Sequence, residues 1–145
     1  MARGSFPGHR LWLVGLVLAP VVLVALGLAL EPDPRGHGTH EQLGLPPCLL
    51  PARLGIPCPG CGWTTAVSLA CHGRPVDAFL AQPLGPLTLL LALGGAAWAV
   101  RQHRRRRDLS TEVLFLRWDR WGPLLGLSIA LSWAFEIVRW RGGAG

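Results

Sequence analysis

From Leu11 to Leu30 the chain runs for twenty residues without a single charge. At a rise of 1.5 Å per residue such a run matches the roughly 30 Å hydrocarbon core of a bilayer. No water reaches that depth, so backbone N–H and C=O groups must bond to each other, and a single run does this only as a helix. Residues 11–30 are therefore read as a transmembrane helix. Two further apolar runs, 85–100 and 121–138, are somewhat shorter, and the second carries a single charge, Glu136. Gly27-Leu28-Ala29 offers the small residues of a signal-peptidase site, but the apolar run exceeds the 7–15-residue core of a cleaved signal. A retained helix is the expectation.

Composition supports lipid as the solvent: half the residues are hydrophobic and 15% are charged, against roughly 25% in soluble domains. All fourteen basic residues are Arg, the pattern of GC-rich coding in a bacterium. The net charge of +6 raises nucleic acid as a partner, yet no reading module accompanies the arginines, and the densest group, Arg101 and Arg104 to Arg107, directly follows an apolar run. That placement reads as a topology signal or a contact for anionic lipid headgroups, and no nucleic-acid binding is expected. Nine arginines fall before the first run or between residues 101 and 120, and five fall between 31 and 84 or after 138. The bias predicts a multi-pass protein of the bacterial cell membrane with its N-terminus inside and its C-terminus outside.

The expected organisation follows. Residues 1–10 form a cytoplasmic N-terminus, 11–30 the first span, 31–84 an extracytoplasmic loop, 85–100 the second span, 101–120 a cytoplasmic Arg-rich loop with a surface segment over Asp108–Arg120, 121–138 the third span, and 139–145 a tail. Gly94-Gly95-Ala96-Ala97 gives the second span a small-residue face for close packing. Trp121 and Trp140 bracket the third as interfacial anchors. Within 31–84, Trp63–His72 and Val76–Ala81 read as short helices bounded by Gly73, Pro75 and Pro83. Too short to cross a bilayer, they are expected at the interface or as a re-entrant element packed on protein. The fold class is an all-α membrane protein with three transmembrane helices and a short cysteine-bearing segment.

All four cysteines lie in that segment: Cys48, Cys58, Cys61 and Cys71. Cys58-Pro59-Gly60-Cys61-Gly62 is a turn in which Pro59 fixes φ and Gly60 and Gly62 admit conformations closed to other residues. Three chemistries suit it. As a zinc knuckle, Cys58 and Cys61 supply two ligands, Cys48 a third, and Cys71, His72, His40 or His37 a fourth. As a thiol-disulfide oxidoreductase, Cys58 attacks and Cys61 resolves, helped by the positive end of the following helix, which lowers thiol pKa. As a staple, two of the thiols close a disulfide in an oxidising compartment. Helical spacing places Cys61, Thr64, Thr65, Ser68, Cys71 and His72 on one polar face, with Trp63, Ala66, Val67, Leu69 and Ala70 opposite.

Cys48, the octet Gly55-Ile56-Pro57-Cys58-Pro59-Gly60-Cys61-Gly62, Thr64, Ala66, Gly73 and Pro83-Leu84 together resemble the bacterial membrane family catalogued as domain of unknown function 2752. The resemblance covers roughly Cys48 to Val100. It implies a small multi-helix membrane protein of no established activity. Two positions depart from the family pattern, Thr65 where an Arg is usual and Gln82 where an Asn is usual. Any role of that Arg is vacant here or passes to Arg53 or Arg74.

Glu136, near the end of the third span, is expensive against lipid and is expected to pair with Arg139 or to reach the interface, a proton pathway being the sharper alternative. His37, His40 and Glu41 form a second metal-capture candidate, more simply solvated. No nucleophile elbow or phosphate loop occurs, so hydrolase and nucleotidase readings fall away. The expected function is an accessory or interaction role for another membrane protein rather than turnover. Membrane thiol oxidation by Cys58 and Cys61, and metal handling, are the alternatives.

Overall fold

Length and apolarity carry through directly into helices. The computed structural model describes residues 7–105, 107, 109, 113 and 118–142, and these are helical without a strand. In order they form α1 (Pro7–Ala29), a 3₁₀ turn (Thr39–Leu43), α2 (Leu49–Leu54), α3 (Trp63–Cys71), α4 (Pro75–Ala81), α5 (Leu84–Arg104) and α6 (Trp118–Arg141). Three helices, Gly8–Ala29, Leu84–Arg104 and Trp121–Arg141, are long and apolar enough to cross a membrane. The surface segment expected over Asp108–Arg120 lies mostly outside the described residues, as do residues 1–6 and 143–145.

α1 and α5 run antiparallel. His9 Nε2 meets His103 Nδ1 at 3.0 Å where α1 begins and α5 ends, and Leu16 packs over Gly95 farther along. At the other end of the pair α3 wedges in. A Cβ on Gly85 would lie 2.5 Å from Ala66, and one on Gly27 would lie 2.6 Å from Cys71 Sγ. Absent side chains at these two positions let α3 seat between the last turn of α1 and the first turn of α5. A small core of Ala66, Leu69, Ala78 and Ala81 closes α3 on α4.

The second span starts afresh after α4. Gln82 is extended, with φ −163° and ψ 112°, because the following Pro83 disfavours helical backbone before it. At its other end α5 continues past Val100 through Arg104, whose basic side chains suit the negative end of the helix dipole.

α3 buries Thr65, Ala66, Val67, Ser68 and Leu69, so residues of both its polar and its apolar face are enclosed by protein. The polar face has a structural task. Ser68 Oγ donates to the carbonyls of Gly27 and Leu30, which α1 leaves unsatisfied at its C-terminus. Thr65 Oγ1 meets Thr39 Oγ1 at 2.8 Å in a buried contact. Thr39 also accepts from the Asp33 N–H, and Gln42 brackets both backbone groups of Glu31. Loop 31–44 is thereby folded back on the end of α1.

α6 is held chiefly at one end, by loops rather than by α5. Trp133 Nε1 donates to the Pro57 carbonyl at 2.9 Å. Gln82 Nε2 donates to Ser132 Oγ at 3.2 Å. Arg139 lies against Gly36, and the Trp140 ring packs at 4.9 Å on His37, so Trp140, expected as an interfacial anchor, is a docking contact within the protein. α2 is the opposite case: it buries no residue.

Candidate metal centre of three thiols

The Cys-Pro-Gly-Cys turn is built from short-range bonds and then clamped from outside. The Cys61 N–H donates to the Cys58 carbonyl and the Trp63 N–H to the Gly60 carbonyl, at 3.0 and 3.1 Å. Of the two glycines expected to need special backbone, Gly62 does, at φ +78°, and a Cβ there would also lie 2.7 Å from the Gly36 carbonyl. Gly60 is not among the positive-φ glycines and faces open space. The Pro57 carbonyl accepts from Trp133 and the Pro59 carbonyl from Gln82, so both sides of Cys58 are tied to other elements.

Cys48 enters from a separate direction. It caps α2 in extended conformation. α2 then ends at Gly55, whose φ of +65° turns the chain back, and Ile56-Pro57 delivers Cys58. The result is convergence: Cys48, Cys58 and Cys61 place their sulfurs within 4.8 Å of one another. Cys48 Sγ donates to Cys58 Sγ at 3.3 Å. Tetrahedral zinc with 2.3 Å bonds to thiolates would set neighbouring sulfurs about 3.8 Å apart, inside the observed spread. All four cysteines are free.

Two of these thiols, Cys48 and Cys61, are raised rather than lowered. Burial pushes the Cys61 thiol up to about 12, and the nearby sulfurs of Cys58 and Cys48 add to the rise. Cys48 is raised too, by burial first and by its bond to Cys58 second. At Cys61 the helix start does not depress the thiol pKa, because Cys61 is buried before α3 begins and its neighbouring sulfurs would also be negative. A cation reverses the balance, since it draws the protons off and lets the sulfurs carry charge together.

Cys71 and His72 are not brought to this cluster. They sit at the far end of α3, roughly 13 Å away by helical rise, where Cys71 Sγ fills the space over Gly27 and burial raises its thiol. His72 Nδ1 bonds the Ser68 carbonyl. Thr64 is half-buried and Ser68 is committed to α1, so the polar face of α3 leads away from the thiols. His37 meets the Arg35 carbonyl and Trp140, while Glu41 bonds Arg35. Arg35 also holds the Asp33 carboxyl below the usual carboxylate range, chiefly by a side-chain hydrogen bond. Among the described residues neither His37, His40 nor Glu41 joins a metal-ligating group with the cysteines.

Gln82 is the residue that sequence reasoning undervalued. Fully buried, it donates to Pro59 and Ser132 and accepts from the Gly85 N–H at 2.9 Å, joining the thiol turn to α5 and α6. Its signal was visible as a polar residue before Pro-Leu. Ser132, Glu136 and Arg139 recur at helical spacing and gave a second signal, a polar face on α6. Glu136 is fully buried, with Oε2 accepting from Arg139 at 3.1 Å. At the vacant family position Thr65 is neutral and bonded to Thr39; Arg74 instead pairs with Asp77 at the surface.

Comparison with known proteins returns one family. Residues 48–96 match the family described as protein of unknown function (DUF2752), the one the octet resembles. No curated protein matches the chain. No solved structure matches it.

Proposed function

We propose that this chain is a multi-pass protein of the bacterial cell membrane whose outward-facing segment holds one soft divalent cation, zinc in the first instance, on Cys48, Cys58 and Cys61. Its role is accessory: the cation staples α2 and the octet turn to the bundle and leaves one coordination position for a water or a partner's ligand. The observation that carries the reading is the convergence of three sulfurs within 4.8 Å, since a disulfide uses two and leaves the third without purpose. Thiolate sulfur selects zinc, copper(I) and iron–sulfur centres over hard cations.

Orientation rests on two lines of support. The N-terminal end of α1 meets the C-terminal end of α5 through His9 and His103, and the C-terminal end of α6 docks beside loop 31–44 through Arg139. Three crossings follow from those pairings, and the arginine excess puts the His9 side in the cytoplasm. Labelling of Cys48 by an impermeant thiol reagent from the cytoplasmic face alone would reverse it.

Metal analysis and thiol titration on protein purified in mild detergent test the site. Near one equivalent of zinc, lost in Cys58→Ser, is the expected result. Metal-free protein with four titratable thiols would sink both the metal and the staple readings. The 3.3 Å approach of Cys48 to Cys58 favours those two as the disulfide if two thiols are missing instead.

A further inference from the structure

Toward the end of α5 the α1/α5 pair carries an open groove of about 690 Å³, with Val17 on one wall and Ala96, Ala97 and Val100 on the other. Arg101, Arg104 and Arg105 line the same groove. Residues 97, 101 and 105 recur every four positions and 104 lies beside them, so three guanidiniums share one face with the apolar trough. All three are exposed, and among the described residues none has an ion-pair partner.

Apolar walls within a spanning helix and cationic groups at its end ask for opposite ends of one molecule. We infer that this groove is a binding site for a single phospholipid with an anionic headgroup: one acyl chain lies along Val17, Ala96, Ala97 and Val100, and the phosphate meets Arg101, Arg104 and Arg105. The trough extends about 12 Å from Arg104 to Ala96 by helical rise, which places the headgroup at the helix end and the chain in the hydrocarbon. Basic pockets between membrane helices capture anionic headgroups on the cytoplasmic side by this charge matching, and Arg serves phosphate better than Lys because its planar fork donates two parallel bonds. Arginines that served topology alone would need no groove, and a diffuse shell of anionic lipid would need no trough.

The test uses full-length protein in mild detergent and reads lipid retention by native mass spectrometry, with dioleoyl phosphatidylglycerol and dioleoyl phosphatidylcholine as probes. Phosphatidylglycerol should be retained at least roughly tenfold better. The Arg101→Gln, Arg104→Gln, Arg105→Gln triple variant should abolish the preference. Ala97→Leu fills the trough while leaving every arginine in place, and should lower phosphatidylglycerol retention several-fold. Equal retention of the two lipids overturns the site, and so does full retention by Ala97→Leu, which would leave surface charge alone. Displacement of the lipid by glycerol 3-phosphate at equal concentration overturns it in favour of a free phosphate ester.

Discussion

Cys61 lies two residues before α3 and Cys71 is its last residue, and both carry thiols raised by burial. Their surroundings differ in kind. Cys61 faces two further sulfurs delivered by separate chain segments, whereas Cys71 faces Gly27 of α1 and takes the place of its missing side chain. The contrast teaches that cysteine spacing along a helix does not make a site. What makes one is a turn that points several donors inward, and only the N-terminal end of α3 has it.

The sharpest way to break this contrast is to remove each thiol in turn. Cys58→Ser or Cys61→Ser should lower zinc affinity by roughly 1,000-fold, a ligand's share of the 10–16 kcal/mol typical of structural sites. Cys71→Ala should leave affinity unchanged within error. Titration with a competing chelator measures both, and equal losses would merge the two ends into one site.

Acidity gives the next largest effect. Binding must expel the protons that Cys48 and Cys61 hold at neutral pH, so zinc affinity should rise by up to roughly a hundredfold per pH unit in the neutral range. In metal-free protein the sign for stability is opposite. The unfolded Cys61 thiol ionises near 9.0 and the folded one near 12, so its contribution is complete below pH 9 and is lost as pH rises through that window. Affinity flat between pH 6 and 8 would mean that the bound thiols are ionised beforehand.

Gln82→Ala should then cost about 2–3 kcal/mol, because it strands the Pro59 carbonyl and Ser132 Oγ in the interior, while the Gly85 N–H keeps its bond to the backbone carbonyl of residue 82. It should weaken zinc binding as well, since the turn loses its clamp. Ser68→Ala is the smaller counterpart at the other end, about 1–2 kcal/mol from the carbonyls of Gly27 and Leu30, with zinc affinity intact. Thermal unfolding in detergent with and without zinc separates the two. A Ser68→Ala variant that binds zinc poorly would show that the two ends of α3 are coupled.

Much of this molecule was legible without coordinates. The apolar runs announced α1, α5 and α6, since in lipid a helix is the only single-segment solution to backbone bonding. Gly62, Gly73 and the prolines marked the limits of α3 and α4 because φ at those positions is a local matter. Cys48, Cys58 and Cys61 were named together from the octet and its flank. The polar stripe of α3 misled, however. Ser68 and Thr65 looked like an extension of the thiol site, but their hydroxyls answer to α1 and to loop 31–44, elements distant in sequence.

By itself, then, the sequence determined where the three long helices, α3 and α4 lie, which of them are long enough to cross a membrane, and that a constrained cysteine turn lies between two of them, because each follows from local backbone rules and burial energy. Tertiary structure decided which polar groups meet. It separated Cys71 and His72 from the thiol cluster and assigned Gln82 as the link between the turn, α5 and α6. It also left an open groove beside Ala96 and Ala97, next to the point where Gly95 packs on Leu16. Those outcomes depend on how helices seat against one another, and that is set by missing side chains at Gly27 and Gly85 and by unsatisfied carbonyls at the end of α1, which no spacing along the chain displays.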